Sequence, residues 1–263
     1  MEQITEFEDP RLEPYRELKK KRQSVVSEEF IAEGRFVVER LISSDFELKS
    51  VLVTRDAAMD VAGLESVDCP VLQVDRDFCQ KLVGFPFHRG VMACGKRVVR
   101  PRCKELEWPD RGLLIACPET ELAENLGGIV RNSAALGALG VLVGPGTVDP
   151  FSRRAIRTSA GNCFRLPLMQ PSDLLAEVAR LKDDFRFETI GLTTSRKATP
   201  ISEMKFSDRT ILMLGNEGRG LDPKYESACD RQVRIAMVDG IDSLNVVSAA
   251  AIAMFTFQQV GTS

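Results

Sequence analysis

From about residue 111 onward, short aliphatic runs alternate with longer amphipathic segments, and this rhythm limits the available folds more than any other feature of the chain. Residues 113–117, 141–143, 189–193, 210–214 and 233–237 read as strands, with one more expected near 164–168. Helices are expected over 126–139, 172–182 and 223–229, and from Ser243 to about Val260. Asp149-Pro150 reads as an N-cap followed by proline at the first helical position, opening a helix that ends near Ser159. Strands joined through helices form a parallel sheet covered on both faces, which is why the runs are continuously apolar. Ligands of such sheets bind beyond the carboxyl ends of the strands.

The first 110 residues keep a looser version of the same pattern. From Ser27 to about Ser43, Phe30, Ile31, Val37, Val38, Leu41 and Ile42 recur at helical spacing. Residues 48–54, 71–74 and 90–94 read as strands and 75–83 as a short helix, so 24–96 form a small α/β domain. Residues 97–110 carry Pro101 and Pro109 among many charges and read as a linker. The second domain then spans 111–263. Residues 1–23 read as a polar N-terminal extension ending in Lys19-Lys20-Lys21-Arg22, either a solvated helix face or an RNA contact.

Composition excludes several classes. The net charge of −3 carries no global basic signature, so affinity for nucleic acid has to come from local clusters. Arg153, Arg154, Arg157 and Arg165 form the best such cluster. The seven cysteines are odd in number and widely spaced, and His88 is the single histidine. No zinc site, other metal or disulfide framework is expected, and reduced thiols fit a cytoplasmic compartment. The acidic N-terminus lacks the apolar core of a secretory signal. No run approaches the roughly 18 apolar residues of a membrane span.

Three segments carry groups suited to chemistry. In the first, Asn125 lies where it could cap a helix, Gly127 and Gly128 permit close backbone approach, and Arg131 follows one to two turns later. The second, Gly215-Asn216-Glu217-Gly218-Arg219-Gly220, puts three glycines after a strand. It lacks the Lys-Ser/Thr of a P-loop and the spacing of a dinucleotide fingerprint. In the third, Ile235-Ala236-Met237 runs through a Gly/Asp turn into Ser243-Leu244-Asn245 and a long apolar helix. Singly, each fits an ordinary turn or capped core helix as well as a ligand loop.

Together and in this order, the three resemble the signature motifs of the SpoU/TrmH family of RNA ribose 2′-O-methyltransferases, within the SPOUT class. Residues 154–161 also match the family's usual sequence, and the resemblance covers 111–263. Residues 30–34 and 51–54 more weakly resemble the family's N-terminal domain, which is similar to ribosomal protein L30e. Two departures stand out: Ala236 replaces the usual proline, and residues 119–124 lack the usual Asp-Pro-x-Asn form.

The resemblance implies a knotted parallel-sheet SPOUT methyltransferase domain behind an L30e-like α/β domain that binds substrate. It implies S-adenosylmethionine as cofactor and a ribose 2′-hydroxyl of structured RNA as substrate, ribosomal RNA ahead of transfer RNA. Thr193, Leu214, Gly215, Asn216, Glu217, Gly218, Gly220, Ile235, Met237, Ser243, Leu244 and Asn245 would hold the cofactor. Arg131 would activate the hydroxyl. Because a guanidinium keeps its proton, gripping the adjacent phosphate is the physically better role. Asn125, Ser243 and Asn245 would orient ribose and cofactor, and Glu217 would either align Arg131 or cap a loop. Arg131, Arg153, Arg154 and Arg157 would meet RNA. The family's homodimers pack the C-terminal helix near the partner's active site. The alternative is an inactive RNA-binding assembly factor of the same fold.

Overall fold

The computed structural model describes residues 1–18, 28–97, 103 and 106–260. Chain contacts divide it into two units, Met1–Val99 with Phe151–Arg165, and Arg100–Pro150 with Leu166–Ser263.

The first unit follows the order β1 (Glu2–Gln3), β2 (Glu29–Glu33), α1 (Arg35–Ile42), β3 (Leu48–Thr54), β4 (Val71–Val74), α2 (Arg76–Val83) and β5 (Val91–Lys96). Among the described residues these strands form one sheet in the order β1-β4-β3-β5-β2. β3 runs parallel to β4 and antiparallel to β5. Helix α1 buries Val37, Val38 and Leu41, whereas Phe30 and Ile31, expected on the same helix, lie on β2, which is separated from α1 by Gly34 with φ of 98°. Helix α2 stops at Gly84, whose φ of 80° gives the left-handed C-cap that glycine adopts without strain.

Residues 1–18, expected as an extension, belong to this unit. Leu12, Tyr15 and Leu18 enter the core formed by Leu52, Leu72, Leu82 and Met92. The Tyr15 hydroxyl donates to the Ser50 carbonyl at 2.9 Å and accepts from the Cys94 amide at 3.1 Å. Pro10–Tyr15 is a 3-10 turn, so its buried residues follow neither the helical nor the strand period. The basic run at 19–22 lies outside the described residues.

Residues 151–165, read above as part of the second domain, also group with the first unit. Phe151 and Phe164 stack on Phe30 with ring centroids 5.5 and 5.4 Å apart, and Phe46 meets Phe164 edge-on. Aromatic rings bury the most apolar area per residue, so this cluster fixes where the segment packs. It also explains two local departures. Phe151 is buried, and the helix begins only at Arg153, capped by Ser152 rather than Asp149. The strand expected at 164–168 is instead a 3-10 turn at Asn162–Phe164, followed later by a two-residue strand.

The second unit is built from β6 (Gly112–Cys117), α3 (Ala123–Ala135) and β7 (Gly140–Val143). After α4 (Arg153–Thr158), which packs with the first unit, come β8 (Leu168–Met169), α5 (Leu174–Phe185), β9 (Glu188–Leu192), β10 (Thr199–Pro200), β11 (Arg209–Met213), α6 (Pro223–Glu226), β12 (Arg231–Arg234) and α7 (Val246–Val260). Among the described residues the sheet runs β10-β12-β9-β11-β6-β7-β8, and every pairing is parallel. Every residue of β6 is buried, as a central strand covered on both faces requires. Trp108 packs edge-on against Phe187 in this unit's core. Since β12, β9, β11 and β6 are parallel neighbours, the chain leaves all four at the same edge of the sheet.

Candidate functional site

The loop after β11 is shaped by its own backbone. Asn216 and Gly220 exchange two main-chain hydrogen bonds, at 2.7 and 3.0 Å. This brings residues 220 and 221 so close to Gly215 that a Cβ there would lie 2.5 Å from the Gly220 carbonyl carbon. Gly220 itself has φ of 73°. Two of the three glycines are therefore demanded by geometry. The buried Asn216 side chain holds the turn, accepting from the Gly218 and Arg219 amides at 2.9 and 3.2 Å and donating to the Glu119 carbonyl at 2.9 Å.

One side-chain relay joins this loop to the other two. Asn245 Nδ2 donates to Asn125 Oδ1 at 3.2 Å, and Asn125 Nδ2 donates to Glu217 Oε1 at 2.9 Å. Glu217 also accepts the Glu121 and Leu122 amides, each at 3.3 Å. Burial pushes the Glu217 carboxyl up, but the hydrogen bonds from Asn125 and these amides outweigh it, and the net displacement is below the usual glutamate range. Glu217 thus binds the two amides that lead into α3. Asn125 is not the N-cap of α3. Leu122 is, and Asn125 sits buried in the first turn.

The third loop is different in kind. β12 ends at Arg234, three residues short of the expected strand, and residues 235–245 carry no regular structure. Helix α7 starts at Val246, not Ser243. Asn245 caps it, its Oδ1 accepting the Val247 amide at 2.9 Å and its carbonyl the Ala249 amide at 3.0 Å. Helices α3 and α7 meet closely at Gly128, where a Cβ would lie 2.8 Å from a Val247 methyl.

A cavity of about 560 Å³ opens among these loops. Thr193 borders it from the end of β9. Leu214, Gly215, Asn216, Glu217, Gly218 and Gly220 border it from the second loop, and Ile235, Met237, Ser243, Leu244 and Asn245 from the third. All twelve residues expected to hold a cofactor therefore face one space. Sequence reasoning missed Leu192, Thr194, Glu226, Val246 and Ala249, along with Arg219, Leu221 and Asp242 beside or within the loops. Arg219 and Asp242 could have been drawn from the motifs themselves. Glu226 carries no sequence signal, since only the fold of α6 brings it to the wall. Among the described residues no group of three or more His, Cys, Asp or Glu is placed to hold a metal ion.

Arg131 and Asn125 are not part of the wall. Asn125 lies behind it, bonded to Glu217 and Asn245. Arg131 is exposed on α3 and makes no hydrogen bond or ion pair among the described residues. The remaining arginines expected to meet RNA sit on α4, within the first unit. Arg153 pairs with Glu33 at 3.3 Å, while Arg154 and Arg157 are exposed.

Comparison with known proteins gives consistent matches. The profile of the SpoU rRNA Methylase family matches residues 112–255. An uncharacterized tRNA/rRNA methyltransferase of Mycobacterium tuberculosis is 32% identical, the match covering 97% of this chain and 91% of that protein. The 23S rRNA (guanosine-2′-O-)-methyltransferase RlmB of Acinetobacter baylyi is 33% identical over 70% of this chain and 76% of its own length. The AdoMet-bound rRNA methyltransferase of Sinorhizobium meliloti superposes with a TM-score of 0.84 at 20% identity, covering 100% of this chain and 99% of that one.

Proposed function

The chain belongs to the SpoU rRNA methylase family, and from that premise we propose that it transfers a methyl group from S-adenosylmethionine to a ribose 2′-hydroxyl of ribosomal RNA in the cytoplasm. The observation that carries this is the relay Asn245–Asn125–Glu217, which ties all three loops around one cavity. Relatives named as rRNA methyltransferases support the substrate class.

The cavity suits that cofactor. Its volume falls inside the roughly 300–1,000 Å³ of small-molecule sites. Gly215 and Gly220 present bare backbone to the space, so amides and carbonyls can meet the edge of an adenine. Leu214, Ile235 and Leu244 offer apolar surface to its faces. Glu226 and Asp242 put carboxylates on the wall, complementary to a ligand with sulfonium and ammonium charge. When bound, S-adenosylmethionine supplies an electrophilic methyl group.

The chain's own residues then have to place and polarise a hydroxyl. Much of the acceleration in such a transfer comes from holding the reacting groups in line. The Ser243 hydroxyl borders the cavity and makes no hydrogen bond among the described residues, so it is available to orient a ribose. Arg131 has a guanidinium free to grip a phosphate in bidentate fashion. Held beside the reacting ribose, the same charge stabilises negative charge developing on the oxygen. Arg153, Arg154 and Arg157 contribute further phosphate affinity.

We take the second unit to carry the family's trefoil knot and the chain to work as a homodimer. Ile252 and Phe255 on α7, with Val238, Ile241 and Leu244 before it, are exposed large apolar residues suited to a seam between copies. A pure monomer in sedimentation at micromolar concentration would contradict this. The test of the catalytic assignment is Arg131→Ala. It should retain S-adenosylmethionine binding by calorimetry and lose methyl transfer to rRNA at least a hundredfold, an oxyanion-stabiliser effect. Wild-type turnover would remove Arg131 from the mechanism.

A further inference from the structure

The first unit carries an aromatic side chain whose exposure nothing in the fold explains. Phe36 is 71% exposed on α1, while the residues that follow it, Val37 and Val38, are buried. A single exposed apolar residue is ordinary, and it is the company of Phe36 that singles it out. The Arg35 guanidinium lies 5.8 Å from its ring centroid. The Arg89 side chain runs over Gly34, so closely that a Cβ there would meet its Cδ at 3.0 Å.

Behind this face, Glu33 is a buried carboxylate that holds two arginines in place. Arg153 sits 3.3 Å from one oxygen and Arg89 4.0 Å from the other. Arg153 also stacks over Phe85, with 4.4 Å between guanidinium carbon and ring centroid. Arg154 and Arg157, exposed on the same short helix as Arg153, add to the positive charge. Burial weakens the hold of Arg153 on its proton; Glu33 opposes it, and the nearby charges of Arg157 and Arg154 add smaller pushes in the same direction as burial. Among the described residues, Glu33 pairs with Arg89 and Arg153, and Glu39 pairs with Arg35.

We propose that Phe36 is a stacking platform for an unpaired base of the RNA substrate, with the arginines organised by Glu33 gripping the phosphates on either side. This rests on the RNA methyltransferase assignment and adds the form of RNA the first unit takes, a loop or bulge rather than a continuous duplex. Single-stranded recognition combines these two ingredients, a π face that accepts any base and cations spaced along the backbone. Arg35 beside the ring strengthens the stack by offering a second flat cationic surface. A protein partner would have to bury guanidiniums against apolar surface, whereas phosphates neutralise them.

The probe is a hairpin RNA with 2-aminopurine in its unpaired loop, compared with a fully paired duplex of the same stem. Wild-type protein should quench the loop fluorophore and bind the hairpin more tightly than the duplex. Phe36→Ala should abolish the quenching and weaken hairpin binding about tenfold, within the range for one stacked base, leaving the salt dependence unchanged. Phe36→Trp should keep both properties. Arg89→Ala should keep the quenching but lower the slope of log affinity against log salt by about one. Quenching and affinity unchanged in Phe36→Ala would overturn the proposal. So would a change confined to its sedimentation, which would make the patch a contact between copies. If wild-type protein methylates rRNA while Phe36→Ala binds the hairpin normally, this inference alone falls. If wild-type protein neither binds S-adenosylmethionine nor methylates rRNA, the assigned function falls first.

Discussion

The two long loops that wall the cavity are held in opposite ways. Residues 215–220 are tied by a two-bond backbone bridge, three hydrogen bonds through the Asn216 side chain and three through Glu217. Among the described residues, 236–244 have a single main-chain hydrogen bond, from the Ile241 amide to the Val238 carbonyl at 3.4 Å, and an exposed ion pair between Arg196 and Asp239. Such an exposed pair contributes little. One loop is therefore formed before any ligand arrives, and the other is left for the ligand to organise. Preformed donors lower the ordering cost of binding, while a loose loop lets a bent cofactor enter.

The largest effect is expected where the preformed loop has no slack. Gly215→Ala pushes a methyl group into the Gly220–Leu221 backbone. Overpacking of this kind costs about 1–3 kcal/mol, so S-adenosylmethionine affinity by calorimetry should fall about 10- to 100-fold. Unchanged affinity would mean the loop is as adaptable as its neighbour.

Glu217→Gln should cost less, about 1–2 kcal/mol of stability, by weakening charge-assisted bonds to Asn125 and two amides. It also carries a pH signature. Glu217 holds its charge to lower pH folded than unfolded, so its contribution is complete above the ordinary glutamate range of about 4.3. That contribution is lost as pH falls through the lower folded value. Denaturation curves of the variant should be less acid-sensitive in that window, and parallel wild-type and variant curves would contradict the relay. Smallest is Ala236→Pro, which restores the residue usual in this family. By restricting the unfolded loop it should tighten cofactor binding about two- to fivefold. Weaker binding would show that the loose loop needs its freedom at this position.

What could be read from the sequence follows the same division. β3 and β4 were legible to the residue because aliphatic runs bounded by turn residues leave little choice of register. The cofactor loops were legible as motifs because glycines and amides at fixed spacing have few other uses. Contacts between distant residues were not. Nothing local announces that Glu217 will reach Asn125 on α3, that α7 starts at Val246 with Asn245 rather than Ser243 as its cap, or that Tyr15 will anchor the first 18 residues in a core. The fate of 151–165 depended on Phe30, more than a hundred residues earlier. The cap at Ser152 in place of Asp149 follows from that long-range stack.

Methyl transfer to a ribose oxygen by these loops is read out by incubating the protein with methyl-labelled S-adenosylmethionine and rRNA lacking the modification, then digesting the RNA with alkali. Alkaline cleavage needs a free 2′-hydroxyl, so label on that oxygen survives in an alkali-resistant dinucleotide. Label recovered in such dinucleotides, and absent with Arg131→Ala, is the expected result. Label in mononucleotides, which places the methyl on a base, or no transfer at all from cofactor-binding protein, would contradict it.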